Sequence, residues 1–203
     1  MVRVVRATDP DAVTVAARAV RDGGLVVYPT DTLYGLGADP FDDGAVRRVF
    51  EVKGRGVKPL PVLVSSLEAA LELVRADDRF LRLARRFWPG PLTIVAPDGG
   101  RVSRLVLAGG TTLGVRMPAH PFALRLIEEC GGALVGTSAN VSGRRPPASL
   151  EDVDPEIMEG VDVAVDGGRV LGTPSTVVDL SGDRPVVLRV GALGVEEVLG
   201  ALE

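Results

Sequence analysis

Residues 24–39, GLVVYPTDTLYGLGAD, decide how the rest of the chain is read. Leu25-Val26-Val27-Tyr28 is a short apolar run rich in β-branched residues, and it stops at Pro29, which predicts a buried strand rather than a helix. Behind it, Thr30, Asp31, Thr32 and Tyr34 crowd hydroxyls, a carboxylate and a phenol into one turn. Gly35 and Gly37 then let the backbone bend or approach a ligand closely. Polar groups at the carboxyl end of a central strand are where open α/β sheets bind small molecules. The plainer alternative is a well-capped loop leading from a strand to a helix.

Working outward, the pattern alternates. Val2–Val5 reads as a strand, and Asp9-Pro10 opens a helix with Val13, Ala16, Ala17 and Val20 on one face, ended by Gly23-Gly24. Asp42-Asp43 caps a second helix carrying Val46, Val49 and Phe50. Strands are expected at Leu60–Val64, Leu92–Ala96, Leu113–Met117, Ala133–Gly136, Val161–Val165, Thr176–Leu180 and Val186–Val190. Helices are expected after Ser66, over Asp78–Phe87, from Pro121 to Cys130 and over Val195–Leu202. The stretch Gly143–Ala148 reads as a loop. Such a mixture predicts an α/β or α+β fold, a mixed sheet flanked by helices.

The 203 residues fit one domain, taken as residues 1–203, with about 70% of the unfolded surface buried. No apolar run approaches the roughly 20 residues that span a bilayer, and no signal-peptide pattern opens the chain, so a cytoplasmic protein without membrane contact is expected. Cys130 and His120 are the only cysteine and histidine, too few for a disulfide framework or a Cys/His zinc site. His120 before Pro121 reads as a helix-start residue and Cys130 as a small apolar residue near a helix end. A net charge of −4 argues against wholesale electrostatic binding of nucleic acid. Of 23 basic residues only two are lysines, and both, Lys53 and Lys58, fall in one loop, KGRGVKP. Compact ammonium groups side by side suit phosphate contact.

Several motifs are missing. There is no Gly-Lys dipeptide for a Walker A loop and no G-x-G-x-x-G opening a helix. Gly136-Thr-Ser138-Ala-Asn140 falls short of a nucleophile elbow, with His120 the only candidate base. What remains is a set of strand ends carrying cations and hydroxyls: Lys53 and Arg55, Thr112 and Arg116, Ser138 and Asn140, Ser175 and Thr176, and Arg189. Arg116 in an apolar strand needs an anion for its guanidinium fork, either a ligand carboxylate or an internal ion-pair partner.

Seven segments carry a resemblance: PTDTLYGLGADP, KGR with a following PL, WPGPLT, VRMPAHP, TSANVSG, PSTVVDL and LRVG. Their order resembles the Sua5/YrdC/YwlC family, the L-threonylcarbamoyl-adenylate synthases, from about Gly24 to Gly191. The resemblance implies a YrdC/RibB-like twisted open mixed sheet around a large cationic cavity. It also implies a reaction in which L-threonine, bicarbonate and ATP give threonylcarbamoyl-AMP and pyrophosphate, the first stage of making the t6A base of tRNA. Carried over by position, Thr32, Arg116, the backbone at Gly136, and Ser175 are similar to the threonine-binding set. Lys53, Arg55, Lys58, Thr112, Ser138, Asn140, the backbone near Pro146, and Arg189 are similar to the ATP-binding set, with Lys53 and Arg55 as the catalytic pair. Mg2+ is implied as a cofactor held mainly by the ATP phosphates, and a tRNA threonylcarbamoyltransferase complex as the downstream partner. Where some members carry a threonine-contacting histidine, this chain has Leu63, and its loop from Arg55 to Pro59 is one residue shorter than in many.

The rival reading is a double-stranded RNA or tRNA-binding module, with Arg101, Arg104, Arg144 and Arg145 as part of its surface. A second enzyme reading is carbamoyl transfer, as in the related domain of hydrogenase-maturation proteins.

Overall fold

The computed structural model describes residues 2–54, 56 and 58–203. The first strand, β1 (Arg3–Arg6), leads to helix α1 (Ala12–Arg21), whose buried face is the predicted stripe of Val13, Ala16, Ala17 and Val20. Strand β2 (Val26–Pro29) is buried along its whole length and turns directly into β3 (Tyr34–Gly37), its antiparallel partner. The chain then runs through α2 (Asp43–Val52), β4 (Val62–Val64), α3 (Leu67–Leu73), α4 (Asp78–Phe87), β5 (Leu92–Pro97) and β6 (Thr112–Arg116). It continues with α5 (Pro121–Glu129), β7 (Ala133–Val135), β8 (Thr137–Ser138), a 3-10 turn at Leu150–Asp152, and α6 (Pro155–Gly160). Strands β9 (Val163–Asp166), β10 (Thr176–Asp179) and β11 (Val186–Arg189) precede the last helix, α7 (Val195–Gly200).

The strands form two mixed sheets flanked by helices. One has the order β1-β9-β2-β3-β8 and the other β11-β10-β5-β6-β4-β7. Apolar side chains of both sheets, including Val27, Leu36, Val62, Ile94, Val115 and Val178, share one core with α2, α4 and α7. A second core lies under α1 and α5, where Val13, Val20, Phe122 and Leu126 cover Val26, Tyr28 and Leu134.

Local sequence explains where the helices begin. The Asp42 carboxylate accepts the amides of Gly44 and Ala45, Ser66 caps α3, and Asp77 caps α4, so donors at each first turn are satisfied. His120 does the same for α5, its Nδ1 accepting from the Ala123 amide, with Pro121 in the first turn as predicted. Glycines 131 and 132, both at positive φ, end that helix and turn the chain into β7.

Strand β3 is the main departure from the sequence reading, which took 30–37 as a turn. Two glycines in four residues lower strand propensity, but here they make room for a ring. A Cβ on Gly35 would stand 3.1 Å from Tyr28 Cζ, and one on Gly37 would stand 2.8 Å from Tyr28 Cε1. Tyr28 thus lies flat across its own hairpin, fully buried, donating its hydroxyl to the Val135 carbonyl. Burial pushes its pKa up. The glycines therefore admit Tyr28 at least as much as any ligand. Strand β8 and helix α6 were likewise not anticipated; both are too short to leave a periodic signal.

Candidate functional site

A cavity of about 580 Å3 lies where the two sheets meet, within the roughly 300–1,000 Å3 usual for small-molecule sites. One sheet supplies Tyr34, Gly35, Thr137 and Ser138 to its wall, and the other supplies Leu63, Thr93, Val95, Arg116, Val177 and Arg189. Connecting segments add Thr32, Pro59, Gly136, Pro146 and Ser175.

One polar cluster surrounds Arg116, which is 5% exposed at the end of β6. Its Nε donates to the Gly90 carbonyl at 2.9 Å, Nη1 donates to Thr32 Oγ1 at 2.8 Å, and Nη2 donates to the Asp31 carboxylate. The sequence left two partners open for this guanidinium, and the internal ion pair is the one present. Burial lowers the Arg116 pKa while the Asp31 charge opposes that shift. Thr32 is in turn fixed by Thr30, whose Oγ1 lies 3.1 Å from Thr32 Oγ1 and donates to the Leu33 carbonyl at 2.7 Å. The hydroxyl-rich turn between β2 and β3 therefore orients one arginine and one threonine at the cavity wall.

A second cluster joins β5, β10 and β11. Thr93 Oγ1 lies 2.9 Å from Ser175 Oγ. Arg189 donates from Nη2 to the same Ser175 oxygen at 3.0 Å and from Nε to the Ser175 carbonyl at 3.1 Å. Ser175, expected on the threonine side, is thus bonded directly to Arg189, expected on the nucleotide side.

The third cluster lies at the end of α2. Lys53 is 2% exposed, and its ammonium donates to the carbonyls of Ser138 and Asn140, the latter at 2.8 Å. The Lys53 carbonyl accepts from the Ser142 amide at 3.2 Å. The helix end and the 138–142 turn are therefore stapled together. Asn140 Nδ2 donates to the carbonyls of Val141 and Arg144, each at 2.9 Å, whereas Asn140 Oδ1 and Ser142 Oγ are buried with no hydrogen-bond partner among the described residues. Buried acceptors in that state are costly.

Of the residues singled out from sequence, Thr32, Thr112, Arg116, Gly136, Ser138, Pro146, Ser175 and Arg189 line the cavity. Lys53 and Asn140 stand behind its Ser138 wall, and Lys58, although its neighbour Pro59 is in the wall, is not itself a lining residue. Arg55 lies outside the described residues. Leu63 is buried and closes the wall against Gly136, where an added Cβ would come within 2.3 Å of its Cγ. The sequence reading assigned no role to Asp31, Thr93 or Asp179, although the last two line the cavity. Thr93 carried a usable signal, a polar residue inside the apolar strand Leu92–Pro97.

Three of the four arginines proposed for an RNA surface face carboxylates. Arg101 pairs with Glu72, Arg104 approaches Asp98 at 4.0 Å, and Arg144 pairs with Asp154 and Glu156. No helix of the described residues is long and apolar enough to cross a membrane.

Residues 18–191 match the family model Sua5_yciO_yrdC, described as telomere recombination. The chain is 43% identical over 190 residues to the threonylcarbamoyl-AMP synthase of Pyrococcus abyssi, covering 92% of this chain and 56% of that protein. It is 37% identical over 195 residues to the threonylcarbamoyl-AMP synthase of Bacillus subtilis, covering 94% of this chain and again 56% of the relative. The chain thus spans a little over half the length of both. The crystal structure of P. abyssi Sua5 complexed with L-threonine superposes with a TM-score of 0.93 at 40% identity, over 99% of this chain and 60% of that one.

Proposed function

The chain belongs to the Sua5/YciO/YrdC family, and from that premise we propose that it is a threonylcarbamoyl-AMP synthase. In this reading it takes L-threonine, bicarbonate and ATP as substrates. The amine of threonine and bicarbonate condense to a carbamate with loss of water. A carbamate oxygen then attacks the α-phosphorus of ATP and the bond to the β-phosphate oxygen breaks, releasing pyrophosphate.

One observation supports this most: a single cavity is walled both by Thr32, Arg116 and Ser175 and by Thr112, Ser138 and Arg189. In the proposed division, Arg116 and Thr32 receive the amino acid with Ser175 and the Gly136 backbone. Arg189, Thr112, Ser138 and the backbone near Pro146 receive the nucleotide. Lys53 is buried behind Ser138, so its charge would act on the phosphates through the turn that it holds. Asn140 would complete that turn, and Arg55 and Lys58 would come from the neighbouring loop. Catalysis would rest on alignment and charge stabilisation, and well-oriented reactants alone can supply about 7–11 kcal/mol of barrier reduction.

Mg2+ would enter on the triphosphate, held mainly by phosphate oxygens, and its chemistry is to offset charge on the departing pyrophosphate. The product is an activated carbamoyl adenylate, a carbamic–phosphoric mixed anhydride suited to a downstream transfer to tRNA in the cytoplasm.

A pyrophosphate-release assay with each substrate omitted in turn tests the proposal. Release should require ATP, threonine and bicarbonate together. Release without threonine, or with carbamoyl phosphate replacing threonine and bicarbonate, would remove the synthase reading in favour of carbamoyl transfer.

A further inference from the structure

The cavity floor changes the sign of its charge along the strands, and Asp179 is where it changes. Register places Thr93, Val177 and Arg189 in one row across β5, β10 and β11. The next row facing the same way holds Gly114, Val95, Asp179 and Val186. Two residues along a strand separate the rows by roughly 7 Å. The first row ends in a guanidinium. The second is apolar apart from one carboxylate, and Leu188, at the β11 register shift between the two rows, lines the cavity and is 57% exposed.

Asp179 has a local role for one of its oxygens: Oδ1 accepts from the Ser181 amide at 2.8 Å. Among the described residues no cation pairs with this carboxylate. A structural acid would be expected to meet an arginine here, because Arg189 sits on the adjacent strand, but Arg189 is turned to Ser175. The carboxylate is instead a wall of the cavity.

We propose that Asp179 accepts the ribose hydroxyls of the bound nucleotide and so fixes which way round the nucleotide lies. This inference rests on the synthase reading and deepens it. A triphosphate is repelled by a carboxylate and attracted by a guanidinium, so the phosphates belong over the row of Arg189 and the nucleoside over the row of Asp179. The neighbours fit a nucleoside: Val95 and Leu188 line the cavity and offer apolar contact to a base, and Gly114, also in the lining, presents no side chain of its own there. The choice of ribose over base follows from donor chemistry. Adenine offers a carboxylate one donor group, the N6 amine, beside the ring acceptors N1, N3 and N7, whereas a vicinal diol presents two O–H donors that one carboxylate can take together. Asp179 would then be a specificity residue for the ribose, remote from the reacting phosphorus.

The test is calorimetric binding of ATP and of 2′,3′-dideoxy-ATP, each with Mg2+ and without threonine, to the wild type, Asp179→Ala and Asp179→Asn. The wild type should prefer ATP by about tenfold or more, the range of a charge-assisted hydrogen bond. In Asp179→Ala the preference should fall to within about threefold, through weaker ATP binding with dideoxy-ATP unchanged. Asp179→Asn keeps the shape and an acceptor for Ser181, guards against misfolding of the alanine variant, and should also reduce the preference. Preference unaltered in both variants overturns the inference. So does a variant in which sugar discrimination survives while the Mg2+ requirement rises, since that would make Asp179 a metal ligand. A wild type that binds no ATP would overturn the synthase reading as well, a failure separable from the others.

Discussion

At the Arg116 end of the cavity the polar groups are already committed to one another, while at the Asn140 end some are not. Arg116 donates from all three guanidinium nitrogens, to Gly90, Thr32 and Asp31, and Thr32 rests on Thr30. At the other end Lys53 holds two carbonyls of a turn, yet Asn140 Oδ1 and Ser142 Oγ in that turn are buried with no partner among the described residues. The first end is carried by the β2–β3 hairpin and by β6, and the second by residues that follow the two-residue strand β8. A strand-built end can be preorganised for a small ligand. A turn-built end with unfilled hydrogen-bonding capacity is where a ligand or ordered water would complete the structure.

If the ends are separate in this sense, their variants should fail differently, and these effects are the largest. Arg116→Ala leaves the Asp31 charge unpaired in a largely buried setting and removes the proposed carboxylate fork. The KM for threonine should rise by about 10²-fold or more, with that for ATP changed only a few-fold. Lys53→Ala frees the carbonyls of Ser138 and Asn140, and turnover should drop by about 10²-fold, as for other lost electrostatic stabilisers. Steady-state kinetics with each substrate varied in turn separates the two patterns. Equal effects of both variants on threonine and ATP would erase the distinction between the ends, and wild-type turnover from Lys53→Ala would remove its catalytic role.

A smaller effect sharpens the same comparison at the level of the scaffold. Gly37→Ala places a Cβ within 3.1 Å of Leu134 and Val26 side chains and 2.8 Å from the Tyr28 ring. Overpacking of that kind costs about 1–3 kcal/mol, read as a lowered denaturation midpoint. The strain falls on the hairpin that carries Thr32, so threonine binding should weaken more than ATP binding in the folded variant. A variant as stable as the wild type would mean that Tyr28 moves freely, and the hairpin could not then be called a rigid support.

How legible these ends were in the sequence follows from the length of the signals. Helix α4 was legible as Asp78–Phe87 because Phe80, Leu81, Leu83, Ala84 and Phe87 alternate at helical spacing with Arg82, Arg85 and Arg86, and the structure buries Phe80, Leu83 and Ala84 on that face. The internal partner of Arg116 was one of two readings, because sequence shows that a buried guanidinium needs an anion but not whether the chain supplies it. Strand β3 was missed because its glycines look like a turn until the Tyr28 ring is placed over them. The roles of Asp31, Thr93 and Asp179 became visible through register and hydrogen bonding, which bring together residues far apart in the chain. The staple from Lys53 to Ser138 and Asn140 spans more than 80 residues and has no local signature.

The smallest effect concerns pH and belongs to the Arg116 end, because His120 feels the charge of Asp31. Burial lowers the His120 pKa, and the Asp31 carboxylate works against that shift without reversing it. The neutral ring is the form that serves α5, since Nδ1 must accept the Ala123 amide. With its folded value below the ordinary one of about 6.5, the folded chain binds fewer protons at this site than the unfolded chain. The contribution of His120 is thus intact above that ordinary value, and stability is lost as pH falls from there through the folded value. Other carboxylates titrate lower and also destabilise in acid, so the measurement is a difference: denaturation midpoints of the wild type and His120→Ser, compared at about pH 7.5 and about pH 5.5. Serine keeps the cap without titrating, so the variant should lose less stability over that interval. Asp31→Asn removes the opposing charge, lowers the His120 pKa further and should steepen the wild-type loss. Parallel pH profiles for the wild type and His120→Ser would show that the ring tolerates protonation in the fold, and the link between the helix cap and the Arg116–Asp31 pair would go with it.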